Sequence, residues 1–334
     1  MIKAYAAFEA GKPLGLFEYQ ERELKPHDVE ISISHCGVCH SDLHLVNNDW
    51  GMSHYPMVPG HEIIGKVVAV GSAVTELTLG ERVGVGWQCG SCFDCEYCET
   101  GHENLCAKQQ ATCVGNFGGF ADAVVVDSRF AFRIPDALNS ANAAPLLCGG
   151  ITVFAPMKRD GVKAGMKVGV IGIGGLGHFA LQFASKMGAE VTAFSTSPNK
   201  EAEAMKLGAH RFVVSSDPAA MAKEKNKHDY IISTVSADIN WLNFMAALKP
   251  NGKLTVVGAA PSPLAIPAFA LIGGQKSIGG SAIGSRAAIK EMLEFAANHN
   301  VGAIIEELPM SRANEALEKV QNNTARYRMV LSNS

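Results

Sequence analysis

Polar and apolar positions alternate with a period of two from Val29 to Ser34, where Val29, Ile31 and Ile33 interleave with Glu30, Ser32 and Ser34. That period is the mark of a half-buried strand. Glycines then punctuate short β-rich segments at Gly60, Gly65, Gly71, Gly80, Gly84 and Gly86, a pattern that predicts a compact, barrel-like β domain. After Cys148 the rhythm changes. Strand-like runs at 168–173, 191–195, 230–235 and 254–257 alternate with helix-like runs at 178–187 and 240–248, which predicts βαβ units on a parallel sheet. The tail adds helices near 287–297 and 313–320 and a last strand over 327–331. The fold class expected is therefore α/β, a doubly wound parallel-sheet domain beside a mainly β domain.

Composition narrows the functional classes. The 334 residues suffice for two domains with separate cores. A charged fraction of 18% and a net charge of −3 give no electrostatic footprint for nucleic acid. The first residues, MIKAYAAFEAGKPLG, have no basic segment leading into an apolar one, so no signal peptide is expected. The uncharged run 254–274 is long enough for a membrane span, but Pro261, Pro263 and Pro267 divide it, and it reads as a buried strand followed by a loop. Nine cysteines, five of them between Cys89 and Cys106, point to metal thiolates in a reducing compartment rather than disulfides. A cytoplasmic protein is expected.

Four constellations carry chemistry. Cys92, Cys95, Cys98 and Cys106 can close a tetrahedral site with no open position, as a structural zinc requires; Cys89 extends the row and leaves the register ambiguous by one ligand. Cys39, His61 and Cys148 offer the two thiolates and one imidazole of a catalytic zinc with its fourth position open. Cys36 competes with Cys39 on spacing. Cys39 is preferred because Ser41 and His44 follow it at intervals suited to a proton path, with Asp42 and Glu62 as supporting groups and Asp42 orienting His61. Gly172, Gly174, Gly175, Leu176 and Gly177 form G-x-G-x-x-G between a strand-like and a helix-like run, the context of a dinucleotide fingerprint. Finally, no acid occurs between Val191 and Lys200 to hold a ribose diol. Ser195, Thr196, Ser197 and Lys200 stand there instead, which favours a 2′-phosphate and hence NADP(H).

With these residues assembled, the chain resembles the zinc-dependent medium-chain alcohol dehydrogenases. Gly60-His61-Glu62-x2-Gly65-x5-Gly71-x2-Val74 is similar to that family's zinc signature. Cys36-Gly37-Val38-Cys39-His40-Ser41-Asp42-Leu43-His44, the Ser195-Thr196-Ser197 loop and Ile283-Gly284-Ser285 resemble its cinnamyl-alcohol-dehydrogenase-like branch. The resemblance implies that Cys39, His61 and Cys148 ligate the catalytic zinc and that Cys92, Cys95, Cys98 and Cys106 hold the structural one, leaving Cys89 out. It implies a GroES-like catalytic domain over 1–149 and 286–334 and a Rossmann cofactor domain over 150–285. Thr152 is expected near the nicotinamide and Trp50 at the substrate pocket. The activity implied is reversible reduction of aromatic and aliphatic aldehydes, with Ser41 on the reacting oxygen and His44 as the proton outlet. A homodimer joined through the cofactor domains, by way of the apolar stretch 254–272, is also implied. A zinc-free quinone reductase of the same architecture is the alternative, and the intact Cys39, His61 and Cys148 argue against it.

Overall fold

The computed structural model describes residues 1–333. The chain divides into two compact units, Met1–Ile151 with the chain from Ile283 onward, and Thr152–Ala282. These limits differ by two to three residues from the boundaries drawn on the sequence.

The first unit is built on a seven-stranded sheet. Its centre is the strand Asp28–Val38, with Val29, Ile31, Ile33, Cys36 and Val38 buried. The strand thus continues beyond Ser34, but its buried positions shift phase by one after Ile33, where the pairing with the neighbouring strand is irregular. Antiparallel neighbours fix what lies at its end. Ile63 pairs with Cys36, and the Gly37 amide donates to the Glu62 carbonyl at 2.9 Å. The last strand, Arg328–Ser332, pairs Met329 with Val38. One step beyond the Met329–Val38 pair are Arg328 and Cys39, and one step beyond the Cys36–Ile63 pair are Gly37 and Glu62, so the strand end gathers residues far apart in sequence. Gly37 is required here: a Cβ would lie 1.9 Å from the Glu62 carboxylate. Gly84 and Gly86 likewise allow the segment ending at Leu147 to press onto the sheet, since a Cβ at either would meet Leu147 at 2.5 or 2.6 Å. Cys148 follows directly.

The second unit holds a six-stranded parallel sheet. In chain order its strands are Lys167–Ile171, Glu190–Ser195, Arg211–Val214, His228–Ser233, Leu248–Val256 and Ser277–Gly280. Their spatial order is 3-2-1-4-5-6, the doubly wound order whose switch point lies beside the first strand. The first two strands are near-continuous apolar runs, as burial on both faces demands. Helix Gly177–Lys186 follows the first strand and Trp241–Ala247 follows the fourth. The segment after Val256 departs from expectation. It contains a short helix, Ala268–Ile272, whose Phe269 and Ile272 are 82% and 65% exposed; its three prolines favour a reading as loop throughout. Among the described residues no single helix is long and apolar enough to cross a membrane.

Candidate active site

Cys39 ends the central strand and caps helix His40–Asn47. Asp42, in that helix's first turn and fully buried, ties together the segments on either side. Its Oδ2 accepts from the Cys39 amide at 2.9 Å, and its Oδ1 accepts from the Gly60 amide at 2.8 Å and meets His61 Nδ1 at 2.9 Å. A carboxylate oxygen only accepts, so His61 carries its proton on Nδ1 and turns Nε2 the other way. Nε2 is buried and has no hydrogen-bond partner. Beside it the sulfurs of Cys39 and Cys148 lie 3.9 Å apart. Ligand atoms of Cys39, His61, Glu62 and Cys148 all fall within 4.8 Å of one another. Ligands of a tetrahedral zinc, each at about 2.0–2.3 Å from the metal, stand roughly 3.5 Å apart. A lone imidazole nitrogen facing two buried sulfurs therefore fits a zinc ion.

The electrostatics favour a thiolate at Cys39, whereas the hydrogen bond to Cys39 and then burial push the Cys148 thiol well up. The hydrogen bond from Cys148 is the main influence holding the Cys39 thiol well below its ordinary range, against burial. Burial opposes a charge on His61, yet the Asp42 carboxylate and then Cys148 outweigh it and keep that imidazole well above its usual value. Burial pushes the Glu62 carboxyl up to about 7, opposed by the guanidinium of Arg328, with which Glu62 is paired. Cys36 is different: fully buried in the sheet core, its thiol is pushed far up by burial. It packs as a neutral core residue.

Ser41 and His44 share the helix His40–Asn47 at a spacing of three, and so one face. His44 Nδ1 meets the Asp49 carboxylate at 2.7 Å, and its side chain is partly exposed. Trp50 is not core. It is exposed, with its ring 5.1 Å from His44 and 6.4 Å from Trp87. Trp87 in turn sets its edge against His61 at 4.9 Å.

The sulfurs of Cys92, Cys95, Cys98 and Cys106 also lie within 4.8 Å of one another, with Cys92 at 3.5 Å from Cys106 and 3.8 Å from Cys98. Cys89 stands apart, beside Asn116 at 3.6 Å. Burial pushes its thiol up to about 12.

In the second unit the fingerprint turn follows strand Lys167–Ile171. Gly172 has φ +87°, and a Cβ on Gly177 would sit 2.0 Å from the Gly172 carbonyl. A Cβ on Gly174 would meet nothing within 4 Å, so the backbone there borders an open cradle of the kind a pyrophosphate fills. The loop after the second strand is only partly as the sequence suggests. Ser195 is buried, and its hydroxyl accepts from the Ser197 amide at 3.1 Å. It shapes the turn rather than facing a ligand, a role that its position at a strand end conceals. Thr196 is exposed, Ser197 is half-buried, and Lys200 donates to the Ile173 carbonyl at 2.7 Å, which brings its charge to the fingerprint. Thr152 is half-buried in helix Gly149–Arg159.

Residues 25–136 match the alcohol dehydrogenase GroES-like domain, and residues 175–298 match the zinc-binding dehydrogenase family. An aldehyde reductase, AdhA, of Synechocystis is 46% identical over 100% of this chain and 99% of its own length. The chain belongs to the zinc-dependent medium-chain alcohol dehydrogenases. Two solved cinnamyl alcohol dehydrogenases place it in that branch. The Sorghum bicolor enzyme has a TM-score of 0.95 at 42% identity, covering 99% of this chain and 97% of the other. The Helicobacter pylori enzyme, complexed with NADP(H), has a TM-score of 0.91 at 32% identity, with the same coverage.

Three groups of this dehydrogenase's site escape sequence reasoning. Arg328 is a buried cation ahead of the apolar run Met329-Val330-Leu331; an arginine set directly before such a run is the available signal. Trp87 stands two residues before Cys89 and carries no motif of its own. Cys113, fully buried with its sulfur 3.9 Å from His61 Nδ1, is a third close neighbour.

Proposed function

We propose that this chain is an NADP(H)-dependent alcohol dehydrogenase and aldehyde reductase with one catalytic and one structural zinc, acting on a broad range of primary alcohols and aldehydes. The observation that carries the reading is the buried, unpartnered Nε2 of His61 facing the sulfurs of Cys39 and Cys148. Without a metal that nitrogen would be an uncompensated buried polar group, which also argues against a zinc-free quinone reductase. Zinc held by Cys39, His61 and Cys148 would supply a Lewis acid for the substrate oxygen, and a nicotinamide cofactor held at Gly172–Gly177 would supply the hydride chemistry.

The protein's own groups do the rest. Asp42 holds His61 in the tautomer that leaves Nε2 free to ligate. Ser41 contacts the reacting oxygen and hands its proton towards His44. Asp49, on His44 Nδ1, leaves Nε2 of that ring as the acceptor, and partial exposure lets the ring pass the proton to water. Trp50 and Trp87 offer flat apolar surface beside the site, suited to aromatic aldehydes. In the cofactor unit the exposed Phe269 and Ile272, with the edge strand Ser277–Gly280, support a homodimer through that unit.

The decisive assay follows NADPH consumption with benzaldehyde before and after chelation. Turnover that falls with the metal and returns with added zinc supports the reading, whereas chelator-resistant turnover in metal-free protein overturns it. Two further outcomes follow. His44→Ala should slow turnover roughly ten- to a thousand-fold while zinc content stays unchanged, and imidazole buffer should recover part of the loss. An unchanged rate would remove His44 from the relay. NADPH should exceed NADH by about a hundred-fold in kcat/KM, or about 3 kcal/mol. Thr196→Asp should narrow or reverse that ratio, because a carboxylate accepts from a ribose diol and repels a 2′-phosphate. Equal efficiencies in the unmodified protein would sink the assignment.

A further inference from the structure

The fingerprint helix Gly177–Lys186 carries a histidine at its second position. His178 is fully buried and meets the Gly174 carbonyl oxygen twice. Its backbone amide donates to that oxygen at 3.0 Å, and its ring Nδ1 lies 3.2 Å from it. A carbonyl oxygen only accepts, so Nδ1 carries the ring proton and both contacts are donations. The two together fix the direction in which the Gly174 carbonyl points.

That direction matters because the peptide between Gly174 and Gly175 is planar and trans: its N–H points opposite to its C=O. With the carbonyl held towards the helix, the Gly175 N–H is turned outwards. Among the described residues no acceptor within the chain meets the amides of Gly175 or Leu176. The same turn borders the open space that a Cβ on Gly174 would enter without touching anything within 4 Å. A flexible pair of glycines would otherwise sample the flipped peptide, which presents a carbonyl to an incoming anion. We propose that His178 is a positioning residue for the cofactor pyrophosphate, acting through Gly174 to aim the Gly175 amide into the cradle. This rests on the reading of the chain as a nicotinamide-dependent enzyme.

Three substitutions separate the hydrogen bond from the bulk of the ring. His178→Phe keeps a flat ring and removes the donor. His178→Asn places an amide nitrogen where Nδ1 stands, whereas His178→Gln places it where Nε2 stands. Equilibrium titration with NADPH and with ADP-ribose, which retains the pyrophosphate, should show both ligands weakened about three- to ten-fold by Phe and by Gln, as loss of one buried hydrogen bond implies. Asn should remain close to the wild type. Binding of 2′-AMP, which has no pyrophosphate, should not move, and kcat at saturating NADPH should change by no more than about two-fold.

Unchanged NADPH affinity in the Phe variant, or 2′-AMP weakened in step with NADPH, would overturn the proposal. So would an Asn variant as impaired as Gln. An independent check needs no substitution: the nitrogen spectrum of histidine-labelled wild-type protein should show His178 as the Nδ1–H tautomer, and an Nε2–H tautomer would refute it. Wild-type protein that binds neither NADPH nor ADP-ribose would instead overturn the cofactor reading itself, and this proposal with it.

Discussion

Cys39→Ala should reduce turnover by at least about ten thousand-fold, some 5.5 kcal/mol, while the protein stays folded with its structural metal. The size of the loss follows from where Cys39 stands. It supplies one of the two sulfurs facing His61 Nε2, and a three-ligand site that loses a thiolate loses both affinity and the charge that balances the metal. The fold should survive because Cys39 lies at the end of the central strand, not within it. The pairings of Ile63 with Cys36 and of Met329 with Val38 remain. The Cys39 amide that donates to Asp42 is backbone and persists in alanine. Zinc analysis should fall from about two ions per chain to about one, with the thermal midpoint shifted far less than activity. A variant that keeps both metals, or that turns over at even a tenth of the wild-type rate, would show that Cys39 is not a ligand.

Much of this site is legible in the amino-acid sequence, for a physical reason. Metal thiolates and phosphate cradles demand particular residue types at particular short spacings, so Cys92 to Cys106 and Gly172 to Gly177 announce themselves locally. Period-two burial likewise reveals the central strand, although its end at Val38 depends on pairing with strands that the local pattern does not name. What stays hidden is set by register. Arg328 reaches Glu62 because the last strand pairs antiparallel with Asp28–Val38, a contact across 266 positions that no window of sequence displays. Ser195 has the residue type of a ligand donor, but its hydroxyl closes its own turn, since serines at strand ends compete for nearby amides. The helix Ala268–Ile272 is concealed by composition: prolines on one side and glycines on the other read as loop, yet Pro267 stands in extended backbone directly before it. The two histidine environments make the same point. His61 and His178 are both fully buried, and only the carboxylate beside one and the carbonyl beside the other distinguish a metal ligand from a backbone clamp.

Cys95→Ala should cost the protein its fold rather than its chemistry. Four sulfurs lie together with Cys95 among them, and they organise a segment with little other regular structure than the single turns Glu96–Glu99 and Glu103–Leu105. A structural zinc in a small closed site contributes about 10–16 kcal/mol of apparent binding energy, comparable to the roughly 5–15 kcal/mol that keeps a whole domain folded. The segment also has anchors that depend on its shape. Phe93, held at φ +60° between two of the cysteines, places its ring 3.5 Å beneath the Arg129 guanidinium. Arg286 pairs with Glu103 at 3.1 Å and donates to the Arg129 carbonyl at 2.9 Å. Melting the loop therefore releases the start of helix Arg286–His299, and with it part of the packing of the catalytic unit. The variant should aggregate on expression or melt many degrees lower, with the residual soluble fraction holding about one zinc per chain. Cys89→Ala is the matched control: its thiol stands outside the cluster, so zinc content and activity should be retained. Cys95→Ala protein with an unchanged melting temperature and both metals would mean that Cys95 is not a ligand and that the cluster does not hold the fold together.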